Sequence, residues 1–286
     1  MRIQILSLFL CSVISLSGQS PQLLQPGNLN SRDPEFGASL PRNENLILFN
    51  RTDSSRMRMS LMQSVRRAKK WLPAEMISFT EPPAWDIDPF ISPDGKTIYF
   101  SSDRAHPGLA PGFNLWSVSF KKGKWGQPAP LPSAINTVHD EIYCSLARNG
   151  NLYFTRMTGP ASGIYFTSLK QSGEAVIHKA KIPVPDSIRL SNPAVAPDES
   201  FIVFVSGQLK GSGSADLFIS HRLAFNTWSK PENLGPEINS SFAEFAPFIS
   251  ADGQWLYFTS ERPGVVDQFP AGHRRPGDIY KVKLKK

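Results

Sequence analysis

The chain of 286 residues is 40 % hydrophobic, holds 25 prolines and 20 glycines, and carries a formal net charge of +7. That apolar content can bury a large core, and the lack of any long helical periodicity turns attention to strands. The basic balance suits acidic partners, such as anionic lipid headgroups or polyanionic glycans, or a plain solvated surface; with no zinc-finger spacing and no aromatic RNA-binding signature, no nucleic acid is expected.

Residues 1–18 read as a signal peptide. Arg2 is a short basic start, Ile3 to Leu16 is the apolar stretch, and Ser15-Leu16-Ser17 offers small residues near the cut. The stretch falls short of the roughly 20 apolar residues of a membrane span, and no second one approaches that length, so no transmembrane segment is expected. Leu10 ahead of Cys11 argues against a lipid-anchored cysteine. The protein is therefore expected to be exported, periplasmic or extracellular, as a monomer or a subunit of an assembly. Cys144 is then the only cysteine left, which excludes an intrachain disulfide. Its place in an expected inner strand suits a buried structural thiol better than a nucleophile.

From residue 22 to 286 a single domain of repeats is expected. A phenylalanine closes the same strand in each copy: Phe49 after NENLIL, Phe100 after DGKTIY, Phe154 after NGNLY, Phe204 after DESFIV and Phe258 after DGQWLY. A period near 50 residues signals repeated supersecondary units. Asn43-Glu44, Asp94-Gly95, Asn149-Gly150, Asp198-Glu199 and Asp252-Gly253 supply the preceding turn, and Asx-Gly suits a two-residue hairpin that needs positive φ. A third strand follows as a Met-rich stretch around residues 58–64, then FNLWSVSF, GIYFTSL, ADLFISHR and GDIYKVKL. The methionines are expected to fill core. A fourth, outer strand opens at Trp71, Trp125 and Trp228 with a proline nearby, as sheet edges tolerate.

The final unit stops after its third strand, while Pro26-Gly27-Asn28-Leu29 resembles Pro231-Glu232-Asn233-Leu234. Gln22 to Leu29 is therefore expected to supply the missing outer strand and close the ring. The expected fold is all-β, a five-bladed β-propeller with units at roughly 33–80, 86–132, 140–184, 190–238 and 243–286.

ISPDGKTIYFSSDR, with an Asp or Asn later preceding an apolar-aromatic pair, resembles the WD-like repeat of TolB-type propellers, and APFISADGQWLYFTSER followed by GDIYKVKL resembles it again. The resemblance implies an exported bacterial propeller, often periplasmic, that serves as a scaffold for protein contacts more than as an enzyme. The motif specifies a fold and says little about function.

Propeller geometry brings the connections after each closing phenylalanine to one face, together with the links into each next inner strand. Arg51, Arg104, Arg156 and Arg262 fall in the first group, with Gln208 and Lys210 in the fourth unit. Glu35, Asp86, Glu244 and either Asp140 or Glu141 fall in the second, and Leu190 breaks the series. These channel-mouth acids are either paired, tying neighbouring blades by charge-assisted hydrogen bonds, or available to a ligand. Two long loops, Asp103 to Gly112 and Glu261 to Gly277, share this face; the second carries Asp267, Phe269, His273, Arg274 and Arg275. Arg104, His106, Arg156, Arg262, Phe269, His273, Arg274 and Arg275 are the binding candidates, for an envelope protein or an acidic glycan. The alternative for the long loop is a solvated Pro/Gly segment.

A carbohydrate-active enzyme is the second function considered, because five-bladed propellers host glycosidases. Two carboxylates about 5 to 9 Å apart would serve as acid and base; Asp86, Asp88, Asp140, Glu141 and Glu244 are the candidates. No residue is assigned a catalytic role. The five histidines stand singly, and no nucleophile elbow is present, so neither a metal site nor a cofactor is expected.

Overall fold

The computed structural model describes residues 20–53, 58–80, 83–171, 174–268 and 275–284. The expected signal peptide at 1–18 lies outside them. Five antiparallel sheets stand radially as blades 1 to 5 of a propeller. The inner strands are Glu35–Ser39, Asp86–Ile91, Asp140–Leu146, Ser191–Val195 and Glu244–Ile249, and each packs against the next around the axis. Second strands run Leu46–Thr52, Thr97–Ser102, Asn151–Met157, Phe201–Ser206 and Trp255–Ser260. Third strands run Met59–Arg67, Asn114–Lys121, Gly163–Ser168, Asp216–Ala224 and Asp278–Lys283. The outer strands are short, opening at Lys70–Trp71, Lys124–Trp125, His178–Lys179 and Thr227–Trp228 in blades 1 to 4.

The repeated phenylalanines explain the shape. Phe49, Phe100, Phe154, Phe204 and Phe258 are buried to 1 % exposure or less, and strand alternation aims each one between blades. Met62 joins this core as expected, whereas Met59 of the same strand lines a cavity on the axis.

The turns between first and second strands are longer than the expected two-residue hairpin. Ser92 N donates to Thr97 O and Gly95 N to Ser92 O, so four residues lie between the bonded ends in blade 2. Only the second turn residue is left-handed: Glu44 at φ 48°, Gly95 at 71°, Gly150 at 99°, Glu199 at 57° and Gly253 at 71°. The preceding Asn or Asp accepts the N–H two residues on, in all five blades. That local bond explains why Glu replaces Gly twice without changing the turn.

Every inner strand carries a β-bulge near its start, where the register slips. The bulged residues, Gly37, Asp88, Tyr143, Asn192 and Ala246, all have positive φ. Their N–H groups point at the preceding blade. Gly37, Asp88, Tyr143 and Asn192 donate to Thr259, Asn50, Ser101 and Thr155, in each case the residue after the closing phenylalanine. Val205 holds that place in blade 4, so Ala246 N reaches instead to Asn192 Oδ1 at 3.5 Å.

The ring closes as expected from the ends of the chain. Gln22–Leu23 pairs with the third strand of blade 5, Gln22 opposite Lys281 and Leu23 opposite Tyr280. Only these two residues of the expected Gln22 to Leu29 segment form strand; beyond them the side chain of Asn30 takes over. No helix among the described residues is long and apolar enough to cross a membrane.

Candidate functional site

The antiparallel order puts the loops between second and third strands on one face with the links between blades, here termed the loop face. The turn face lies opposite. On the loop face the four acids that begin inner strands are all met by arginine. Arg51 Nε lies 2.7 Å from Glu35, Arg104 Nη2 lies 2.7 Å from each Asp86 oxygen, and Arg156 Nε lies 2.8 Å from Glu141. Arg262 Nη2 lies 3.3 Å from Glu244. Glu141, not Asp140, is the third-blade equivalent; Asp140 accepts Phe113 N at the foot of the long loop of blade 2.

These pairs join residues of one blade, contrary to the expected tie between neighbours. The reason is register: Glu35 faces Arg51 and Glu141 faces Arg156 across the same hairpin. What each arginine adds is a bond to the incoming link, through Leu29 O, Phe79 O, Ile135 O and Ile238 O. The guanidinium groups also lie over the closing phenylalanines and, in three blades, over Trp116, Tyr165 and Tyr280.

Three of the acids share a second partner that composition does not reveal. Asn30-Ser31 precedes Glu35, Asn136-Thr137 precedes Glu141, and Asn239-Ser240 precedes Glu244, at identical spacing. The Ser or Thr donates both its N–H and its hydroxyl to the carboxylate. The asparagine bonds both backbone groups of a third-strand residue: Ile279, Leu115 or Leu217. Burial outweighs these bonds at Glu35 and pushes its carboxyl up to about 7; burial raises Glu141 as well.

Within the ring of acids lies a cup of about 520 Å³ on the axis. All five blades contribute to it. Phe36, Ile87, Ile142 and Phe245 line it, each directly after the arginine-paired acid of its inner strand, and Met59 and Met157 flank them. Polar residues also line it, among them Asn192, Glu261 and Arg275, together with Thr52, Ser191 and the arginine-paired Glu35. Below it the channel narrows to a space of about 30 Å³, room for a water or two, between Asp88, Tyr143, Cys144 and Asn192. The apolar residue beside each paired acid shapes the cavity.

Asp88 is the exception to the pairing. It is buried, neither carboxylate oxygen has a hydrogen-bond partner among the described residues, and burial drives its pKa well above the ordinary carboxylate range. Burial likewise pushes the neighbouring Cys144 thiol up, away from nucleophile character.

Of the loop candidates, Phe269, His273 and Arg274 lie outside the described residues. Arg275 reaches the cup, donates to Val266 O and Asp267 O, and lies over Phe242. His106 is exposed and sits edge-on to Trp116, away from the cup. Arg104, Arg156 and Arg262 are engaged as described above. No cluster of three His, Cys, Asp or Glu fit to hold a metal occurs among the described residues.

Neither a protein-family model nor a curated protein matches the sequence. In structure the chain is similar to TolB from Acinetobacter baumannii, with a TM-score of 0.53 and 15 % identity, covering 89 % of this chain and 55 % of that one. It is similar to a candidate TolB of Agrobacterium tumefaciens, at TM-score 0.52 and 14 % identity, over 84 % of this chain and 73 % of that one. An α-L-arabinofuranosidase from Lactobacillus brevis gives TM-score 0.52 and 11 % identity, over 89 % and 92 %. The chain spans just over half of the Acinetobacter protein. The fold is thus a TolB-like propeller, and one that a glycoside hydrolase also adopts.

Proposed function

We propose that the protein is an exported, non-catalytic propeller whose loop-face cup binds a segment of an envelope protein or an acidic glycan. One observation carries this reading. Glu35, Asp86, Glu141 and Glu244 are each 0 % exposed and each held by an arginine, while the cup between them is open and mostly apolar. An acid–base pair needs carboxylates that reach the substrate. These four face their arginines instead, which weighs against a carbohydrate-active enzyme. Phe36 and Phe245, with ring centroids 6.2 Å apart, offer an apolar platform, and Arg275 sets a cation at its edge.

Thermal unfolding against a panel of acidic glycans, neutral glycans and acidic peptides tests the reading. A ligand that raises the melting temperature of the wild type should do so far less for Phe245→Ala and Arg275→Ala. Release of reducing sugar from any glycan, lost in an Asp88→Asn variant, would overturn it in favour of the hydrolase.

A further inference from the structure

The turn face is charged in a way the cup does not use. The two-residue turns joining third to outer strands in blades 1 and 2 are Ala68-Lys69 and Lys122-Gly123. With their flanks they present Arg67, Lys69, Lys70, Lys121, Lys122 and Lys124, all exposed. None of the six holds an ion pair among the described residues. Acids at the turns of this face have partners of their own: Glu44 has Arg66, Asp94 has Ser92 and Lys96, Glu199 has Arg222 together with Asn149, Asn151 and Tyr153 of blade 3, and Asp252 has Ser250. The two tips are neighbours, since Trp125 Nε1 donates to Gln63 Oε1 across the blade boundary.

Two further observations say what kind of anion fits. Lys69 and Lys122 sit at φ 66° and 51°, the left-handed region that Asn or Gly occupies at least cost, as Asn226 does in the matching turn of blade 4. Lysine is thus kept at both tips against local backbone preference. That blade 4 hairpin carries Leu223 and Phe225, 63 % and 66 % exposed. Cations on two blades and apolar side chains on a third form a contact that only a broad, flat partner reaches at once. The groove between the cationic tips is a poorer seat for a polyanionic chain, because Glu75 lines it beside Lys124.

We propose that the turn face docks on an anionic lipid bilayer, with the cationic tips of blades 1 and 2 at the headgroups and Leu223 and Phe225 at the interface. The cup then faces away from the lipid. The proposal is independent of what the cup binds.

Flotation of the purified protein with vesicles tests it, using phosphatidylcholine alone and phosphatidylcholine mixed with phosphatidylglycerol. The wild type should float with the anionic vesicles only, and added salt should release most of it as screening sets in. Combined Lys69→Glu, Lys70→Glu, Lys122→Glu and Lys124→Glu should weaken partitioning at least tenfold. Lys210→Glu, an exposed lysine of the loop face, should leave it unchanged. Leu223→Ser with Phe225→Ser should remove the binding that persists at high salt. Lys69→Asn with Lys122→Asn should lower binding while keeping or raising the melting temperature, which separates docking from folding. Equal binding to neutral vesicles, binding retained by the four-charge reversal, or an equal loss in Lys210→Glu would overturn the proposal. Capture by soluble alginate through the same tips, without vesicle binding, would overturn it in favour of a glycan surface.

Discussion

Asn30 bonds both backbone groups of Ile279, 249 residues away: Oδ1 accepts from Ile279 N at 2.8 Å and Nδ2 donates to Ile279 O at 3.0 Å. In blades 2 and 4, Asn136 and Asn239 make the same contact within consecutive chain. Only at Asn30 does it join the two ends of the domain. A short outer strand of two residues could not hold this seam alone.

Asn30→Ala should therefore cost about 1–3 kcal/mol in denaturant unfolding, because the buried Ile279 N–H loses its acceptor while Ile279 O keeps the bond from Leu24 N. It should also expose the segment before residue 31 to limited proteolysis. Asn136→Ala should cost a similar amount without freeing either end. Equal protease sensitivity in the two variants would show that the asparagine stabilises its blade and not the seam.

Arg104 and Asp86 offer the cleanest test of what the mouth pairs do. The carboxylate is 0 % exposed, with both oxygens 2.7 Å from one guanidinium nitrogen, and the guanidinium lies over Phe100 and Trp116. Arg104→Met should cost about 3–5 kcal/mol, since it strands a buried charge. Adding Asp86→Asn should recover a good part of that loss, and the double-mutant cycle measures the coupling. A binding role alone would leave the unfolding midpoint of Arg104→Met where the wild type has it.

The five blades were legible because Phe49 and its four equivalents repeat one residue type at one structural position, and the Asx residue repeats beside them. The bulged residues were not. Gly37, Asp88, Tyr143, Asn192 and Ala246 have no side-chain chemistry in common, because the position selects a left-handed backbone and an inward N–H. The acids and arginines are legible in the sequence, but their pairing within a blade is not, because cross-hairpin register, which strand spacing alone does not give, brings them together. The Asn-Ser and Asn-Thr pairs before Glu35, Glu141 and Glu244 stood in plain view. They lie in the links, where repeats aligned on strands do not look.

Asp88 should make stability fall as pH rises. Its carboxyl is buried without a hydrogen-bond partner among the described residues, so the folded state holds it protonated above the pH at which the unfolded chain releases the proton. Glu35 adds to the trend, with its folded value near 7 above an ordinary 4.5. An acid raised by folding contributes stability that is complete below the unfolded value and is lost as pH climbs through the folded one. Stability should therefore decline from about pH 4 upward, first through Asp88 and then through Glu35. Asp88→Asn, which tolerates the φ of 56°, should gain about 1–3 kcal/mol at neutral pH and flatten the profile. A profile as steep as the wild type's would place the titration elsewhere.

Val205 is the one interruption in the belt of bonds between bulges and preceding blades. Thr259, Asn50, Ser101 and Thr155 supply an oxygen at the other four positions, at 2.8 to 3.3 Å from the bulge N–H. Ala246 N has Asn192 Oδ1 at 3.5 Å, the longest contact of the set. Val205→Thr keeps the branched shape and places a hydroxyl where three of the other four blades have one. Burying a hydroxyl ordinarily costs free energy, and here a waiting N–H offsets that cost. The variant should unfold at higher denaturant, by about 0.5–1.5 kcal/mol, with the slope unchanged. Val205→Ala, which makes a cavity and offers no oxygen, should be less stable than the wild type. If threonine destabilises as alanine does, packing of the second-strand residue outweighs the hydrogen bond, and the belt owes its regularity to side-chain volume.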